Sequence, residues 1–374
     1  MLKNGLGELL DTKVSGATRF VDLFCGSAAV SHYVATRTPI TVIACDLQHY
    51  GAILAGAVIT RQRPLQWKKV WQLWVARAKL KRGRHAVPEF GKVSKKSVDQ
   101  SREWASKRRS LPITRSYGGY YFSVEQAVWI DALRASVPPR EPQKSCTIAA
   151  LVRACSRIIA APGHTAQPFQ PSSTGKRYLA AAWSQSVLKE ARRELEALSN
   201  TYAKATGTVF VSDACAVART LKKGDLAFVD PPYSGVHYSR FYHVLEAISR
   251  GTCGPVAGAG RYPATEFRPK SQFSLRSESQ EALRKLLEVL AQREVDVILT
   301  FPNHDCSNGL SGRKVINMAA QFFSIDDRRV KSTFSSLGGK SGRGSKEAAR
   351  NARLKRTELI LSLSPRLTPS RPDA

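Results

Sequence analysis

Hydrophobic positions along the chain fall into short unbroken apolar runs, separated by stretches with helical spacing. Arg19-Phe20-Val21-Asp22-Leu23-Phe24 reads as a strand running into the small-residue turn Cys25-Gly26-Ser27-Ala28-Ala29. A helical segment at 30–35 follows, and Thr41-Val42-Ile43-Ala44-Cys45 is a second strand ending at Asp46. Strands alternating with helices predict a βαβ start and a parallel sheet. Further apolar runs at 209–213, 226–230, 295–301, 322–334 and 358–363 predict later strands, with a helix at 277–293. The expected fold class is α/β.

Between 61 and 205 the strand signal disappears. Trp67, Trp71 and Trp74 stand at i, i+4 and i+7, one helical face, which favours packing over base stacking. Helices are predicted near 123–136, 147–160 and 178–200, with a loop rich in Pro, Gly, Ser and Thr at 161–177. Lys68, Lys69, Lys79, Lys81, Arg82, Arg84, Lys95, Lys96, Lys107, Arg108 and Arg109 make the first half of this region strongly basic. The expected organisation is a catalytic domain split over 1–60 and 206–364, a mostly helical basic insertion over 61–205, and a frayed tail over 365–374. Within the second half, 338–356 is rich in glycine, lysine and arginine and reads as a mobile basic loop, either a phosphate contact or a plain hairpin connection.

Charge narrows the class of partner. Lys+Arg number 58 against 29 Asp+Glu, a formal net charge of +29. A surplus of that size points to a polyanion, and nucleic acid is the expected one. Seven cysteines with no Cys-x-x-Cys spacing suggest neither a zinc site nor a disulfide framework, so no metal is expected. Cys25, Cys45 and Cys215, at strand ends, read as small buried hydrophobes rather than nucleophiles. No signal-peptide pattern and no apolar run of membrane-spanning length is seen, so the expected location is cytoplasmic, away from membranes.

The candidate chemistry lies at strand ends. Leu226-Ala227-Phe228-Val229 ends abruptly in Asp230-Pro231-Pro232-Tyr233. Two prolines can neither continue a ladder nor enter a helix interior, and the first holds Asp230 extended. One carboxylate, a rigid backbone and an aromatic ring are thereby fixed at the carboxyl edge of the sheet, where ligands of open α/β sheets bind. Such parts suit a flat, amine-bearing base. The Gly26 turn lets backbone approach a ligand closely. Asp46 could take the hydroxyls of a ribose or cap a helix, and Asp213 has the same two readings.

Phe24-Cys25-Gly26-Ser27-Ala28 followed by Asp230-Pro231-Pro232-Tyr233 resembles the Dam-like S-adenosylmethionine-dependent adenine methyltransferases of DNA. Gly118-Gly119-Tyr120-Tyr121-Phe122-Ser123, Gln126-Ala127, Ile130-Asp131, 163–168 and 238–246 extend the likeness to restriction–modification members. The resemblance implies a Rossmann-like methyltransferase sheet with a target-recognition insertion, S-adenosyl-L-methionine as cofactor and double-stranded DNA as partner, with a cognate restriction endonuclease as a further one. It assigns the methyl-acceptor site to Asp230, Pro231, Pro232 and Tyr233. Cofactor contacts fall to Lys3, Asp22, Phe24, Gly26, Asp46, Asp213 and Asp230. DNA contacts fall to Tyr238, Arg240, Tyr242, Lys107, Arg108, Arg109 and Arg343. The family's turn usually has a second glycine where this chain has Ala28; a methyl is accommodated there if φ is negative. The alternatives are an RNA adenine or DNA cytosine-amine methyltransferase, or a catalytically idle DNA-binding module.

Overall fold

The structure, a computed structural model, describes residues 2–335 and 353–366. Its strands are β1 (Arg19–Asp22), β2 (Thr41–Asp46), β3 (Thr208–Val211), β4 (Asp225–Val229), β5 (Val256–Ala257), β6 (Tyr262–Pro263), β7 (Asp296–Pro302), β8 (Phe323–Ser335) and β9 (Arg353–Pro365). The chain divides into two compact units. One comprises Met1–Phe24, Ser212–Val236 and Ser271–Ala374, the other Cys25–Val211 and His237–Lys270.

In the first unit β1, β4 and β7 run parallel, and β9 and β8 continue the sheet antiparallel. Every residue of β4 is buried, and Phe20, Phe228 and Phe301 are fully enclosed, as a strand covered on both faces requires. Register is pinned at the strand starts. Arg19 opposes Asp225 and donates to both its carboxylate oxygens, at 2.8 and 2.6 Å. Helix Ser279–Gln292 covers this sheet with the stripe Leu283, Leu286, Leu287 and Leu290, all fully buried. β9 begins at Arg353, inside the stretch expected to be loop. Its ladder with β8 carries pairing out to Ser335 and Arg353, beyond the apolar run that marks the strand in sequence. The rest of the expected basic loop, 338–352, and the expected tail beyond 366 lie outside the described residues.

The second unit holds the parallel pair β2–β3 and most of the helices. Helix His49–Ile59 is apolar nearly all round and buried along most of its length. Trp74 is completely buried and its indole N–H donates to the Leu133 carbonyl at 2.8 Å, while Trp67 and Trp71 on the same face are half-buried. The single helix expected at 178–200 is two, Lys176–Trp183 and Val187–Ser199. Ser186 turns extended between them, and its hydroxyl accepts from the Lys189 N–H. The β5–β6 hairpin has no counterpart among the expected elements. Its two-residue strands are too short to leave a pattern.

Candidate active site

In the first unit, β4 delivers Asp230. Val229 pairs with Leu299, so the next residue pair along this register is Asp230 and Thr300. Thr300 Oγ1 donates to Asp230 Oδ1 at 2.9 Å. The carboxyl keeps partial exposure, yet protein crowds it on most sides. Burial therefore lifts its pKa from 3.8 to about 7; the Thr300 bond opposes the rise, and the charges of Glu358 and Asp22 add to it. Pro231 is buried and Tyr233 half-buried. The Pro232 carbonyl accepts from Asn308 Nδ2 at 2.9 Å, and the same amide donates to Phe273 O at 3.0 Å. Asn308 is fully buried, so this clamp fixes the turn from beneath. Further on, the Gly235 N–H donates to Ser307 Oγ at 2.8 Å.

Four other expected residues lie in this unit. Asp22 is buried at the end of β1, and Phe24 is half-buried, its ring edge-on to Phe273 with centroids 5.0 Å apart. Asp213 is exposed, and its Oδ1 accepts from Cys215 N at 2.9 Å and Ala216 N at 3.4 Å, the geometry of a helix N-cap. Lys3 is exposed, within the helical turn Leu2–Leu6.

The second unit carries Gly26 and Asp46. Gly26 has φ +48° and Ala28 has φ +61°. The negative φ that would have accommodated the Ala28 methyl is not adopted. The turn must fold back within three residues, with Ala28 N donating to Cys25 O at 2.6 Å, before helix Ala29–Arg37 begins. Asp46 closes the same turn, accepting from Gly26 N on Oδ2 at 2.8 Å and from Gln48 N on Oδ1 at 2.7 Å. Burial raises its pKa to about 6; both backbone bonds oppose the rise, and the Glu246 charge adds to it. Gly51 is required here: a Cβ on it would lie 2.9 Å from the Asp46 carboxyl and 3.0 Å from Gly26 O. An acceptor carboxylate beside a glycine turn fits the hydroxyls of a nucleoside, and Gly26 and Asp46 are the residues of this unit that could hold one.

Residues expected to meet a polyanion also lie in this unit, Arg343 excepted, which is outside the described residues. Lys107 pairs with Glu103 at 2.7 Å, both exposed, while Arg108 stacks 3.9 Å over the Trp104 ring and Arg109 is exposed. Arg240 is exposed and lies 4.3 Å over Tyr262. Tyr238 packs against Phe241 and Tyr242, and Tyr242 lies against Tyr50 with centroids 5.4 Å apart. Sequence reasoning missed Thr300, Asn308 and Tyr50, and gave Glu246 no role. Thr300 left a signal, a polar residue inside an apolar strand, whereas Asn308 sits in a loop and left none. Among the described residues no group of three His, Cys, Asp or Glu could hold a metal ion. No described helix is long and apolar enough to cross a membrane.

The chain is similar to known proteins. A family model described as D12 class N6 adenine-specific DNA methyltransferase matches residues 2–82 and 164–293. Modification methylase LlaI of Lactococcus lactis subsp. lactis is 22% identical over 310 residues, which cover 78% of this chain. The chain spans 43% of that relative's length. The mixed α/β architecture, with its mostly parallel strands, agrees with the Rossmann-like methyltransferase class expected from sequence. Matched segments amount to more than half of the residues and include both the Gly26 turn and Asp230-Pro231-Pro232-Tyr233. The chain belongs to the D12 class N6 adenine-specific DNA methyltransferase family.

Proposed function

We propose that this chain transfers a methyl group from S-adenosyl-L-methionine to the exocyclic N6 amine of adenine in double-stranded DNA, at a specific sequence. The observation that carries the reading is Asp230, a carboxylate at the end of a buried strand, oriented by Thr300 and followed by Pro231-Pro232-Tyr233. S-adenosyl-L-methionine, when bound, supplies a methyl carbon made electrophilic by its sulfonium.

An adenine amine is a weak nucleophile because its lone pair is delocalised into the ring. Asp230 and the Pro231 carbonyl each accept one N–H of that amine, drawing the nitrogen toward tetrahedral geometry and freeing the lone pair. As the nitrogen takes the methyl, positive charge develops on N6 and the Asp230 carboxylate stabilises it. Asp230 then takes the surplus N6 proton, a task that a carboxyl with a pKa of about 7 performs better than an ordinary one. Tyr233 stacks on the base, which must leave the duplex to be reached. Stacking worth about 1–3 kcal/mol offsets part of the unpairing.

Gly26 and Asp46 receive the nucleoside of the methyl donor, with Asp22, Phe24, Lys3 and Asp213 as further contacts. Tyr238, Arg240, Tyr242, Lys107, Arg108, Arg109 and Arg343 meet the DNA. The segment 61–205 acts as the target-recognition part, set into a catalytic domain split over 1–60 and 206–364. A net charge of +29 supports a polymer substrate, and seven cysteines without a disulfide framework support a cytoplasmic location. A cognate restriction endonuclease is the further partner, a reading supported by the word modification in the relative's name. Asp230→Ala tests the assignment: methyl incorporation into duplex DNA should be lost while duplex binding persists, and retained incorporation would sink it.

A further inference from the structure

Helix His49–Ile59 starts without a cap of its own, since Gln48 makes no side-chain bond to its first turn. Its opening N–H groups are met by Glu246, from a helix 196 residues further along the chain. Oε1 accepts from His49 N at 3.1 Å and Oε2 from Tyr50 N at 2.9 Å. Arg250, one turn on, donates to the same carboxylate at 2.6 Å. Glu246 is only 7% exposed, so a charge has been taken out of water to do what a serine or aspartate at position 48 would do locally. A local cap, however, could not tie helix Tyr238–Arg250 to this turn.

The turn so held is the one that carries Asp46. Three successive backbone N–H groups end on carboxylates: Gln48 on Asp46, His49 and Tyr50 on Glu246. Gly51 leaves no room for a side chain between the helix start and the Asp46 carboxyl and Gly26 O, so these pack directly together. On the other side, Tyr242 lies one helical turn before Glu246 and packs against Tyr50. The same helix begins with Tyr238 and exposed Arg240.

Resting on the function proposed above, we propose that Glu246 is a positioning residue for the methyl donor's site, and that through it the helix bearing Tyr238, Arg240 and Tyr242 links DNA engagement to donor affinity. Such a link is reciprocal: whatever duplex DNA does to donor affinity, the donor does to DNA affinity.

The test uses S-adenosylhomocysteine, which cannot transfer a methyl, as a calorimetric probe on the full chain with and without duplex DNA. For the natural protein, duplex should raise probe affinity several-fold. Glu246→Gln keeps the shape but offers an N–H group where the helix start needs an acceptor. It should weaken probe binding about tenfold, the loss expected for one charge-assisted bond. It should also abolish the gain from duplex and leave duplex affinity without probe within about twofold. Turnover at saturating donor should persist while the KM for donor rises, and Glu246→Asp should restore part of the affinity. A melting profile like that of the natural protein shows the Gln variant folded; Glu246→Ala is a second variant with the same expectation. Unchanged probe affinity, or a preserved gain from duplex, in a folded Glu246→Gln protein overturns the inference. Absence of probe binding to the natural protein overturns the function itself.

Discussion

Replacing Asp230 by asparagine keeps the outline of the side chain and its Oδ1 acceptor for Thr300, but removes a charge that the fold holds at a cost. The carboxyl's pKa is lifted from 3.8 to about 7, chiefly by burial. A raised folded-state pKa means that the folded protein binds the proton more tightly than the unfolded chain. Stability is therefore fully present at low pH and declines as pH rises through the window from about 4 to about 7, by up to about 1.4 kcal/mol per unit. Above that window the cost levels off at about 4 kcal/mol or less, water at the partly exposed carboxyl reducing it. A neutral amide at this position carries no such cost. Denaturant unfolding at pH 4 and pH 8 should give two proteins of similar stability at pH 4, and an Asp230→Asn protein more stable by a few kcal/mol at pH 8. Methyl transfer should be lost in the same variant. Equal stability at both pH values, or a less stable variant at pH 8, would refute the burial of charge on which this rests.

Thr300→Val removes the bond that opposes the Asp230 shift. If transfer needs the carboxylate, the rising limb of kcat/KM against pH, near 7 in the natural protein, should move up by about one unit. Asn308→Ala leaves the Pro232 carbonyl and Phe273 O without their donor. Turnover should fall about tenfold or more, with stability lower by about 1–3 kcal/mol in urea titration. Ala28→Gly relieves a φ of +61° that costs an L-residue about 1–2 kcal/mol, while glycine's extra freedom in the unfolded chain returns part of that. A net gain of about 0.5–1 kcal/mol should be seen in the same titration.

Much of the fold is legible from hydrophobic runs because parallel strands covered on both faces tolerate little else. β4 is the clearest example: after Asp225, its four buried apolar residues lead to Asp230 and two prolines that stop the strand. The Asp230 turn was legible for the same reason, since proline chemistry is local. What sequence could not show depends on register and long-range contact. Thr300 acquires meaning only when Val229 is paired with Leu299. Glu246 reaches a helix start 196 residues away, and no spacing rule connects the two. Ala28 shows the limit from the other side. Alanine gives no hint of a left-handed backbone, so its strain emerges only from the turn it must complete. The break at Ser186 was written in the sequence as a cap, but helical residues on both sides hide it.

The central claim is the identity of the acceptor, and labelled transfer tests it most directly. The full chain would be incubated with S-adenosyl-L-methionine carrying a labelled methyl group and, separately, with duplex DNA or RNA, and each polymer digested to nucleosides. Label should be recovered as N6-methyladenine from duplex DNA alone, and Asp230→Ala should remove it. Label on cytosine, label from RNA in preference to DNA, or no label from folded protein that binds duplex would contradict the account.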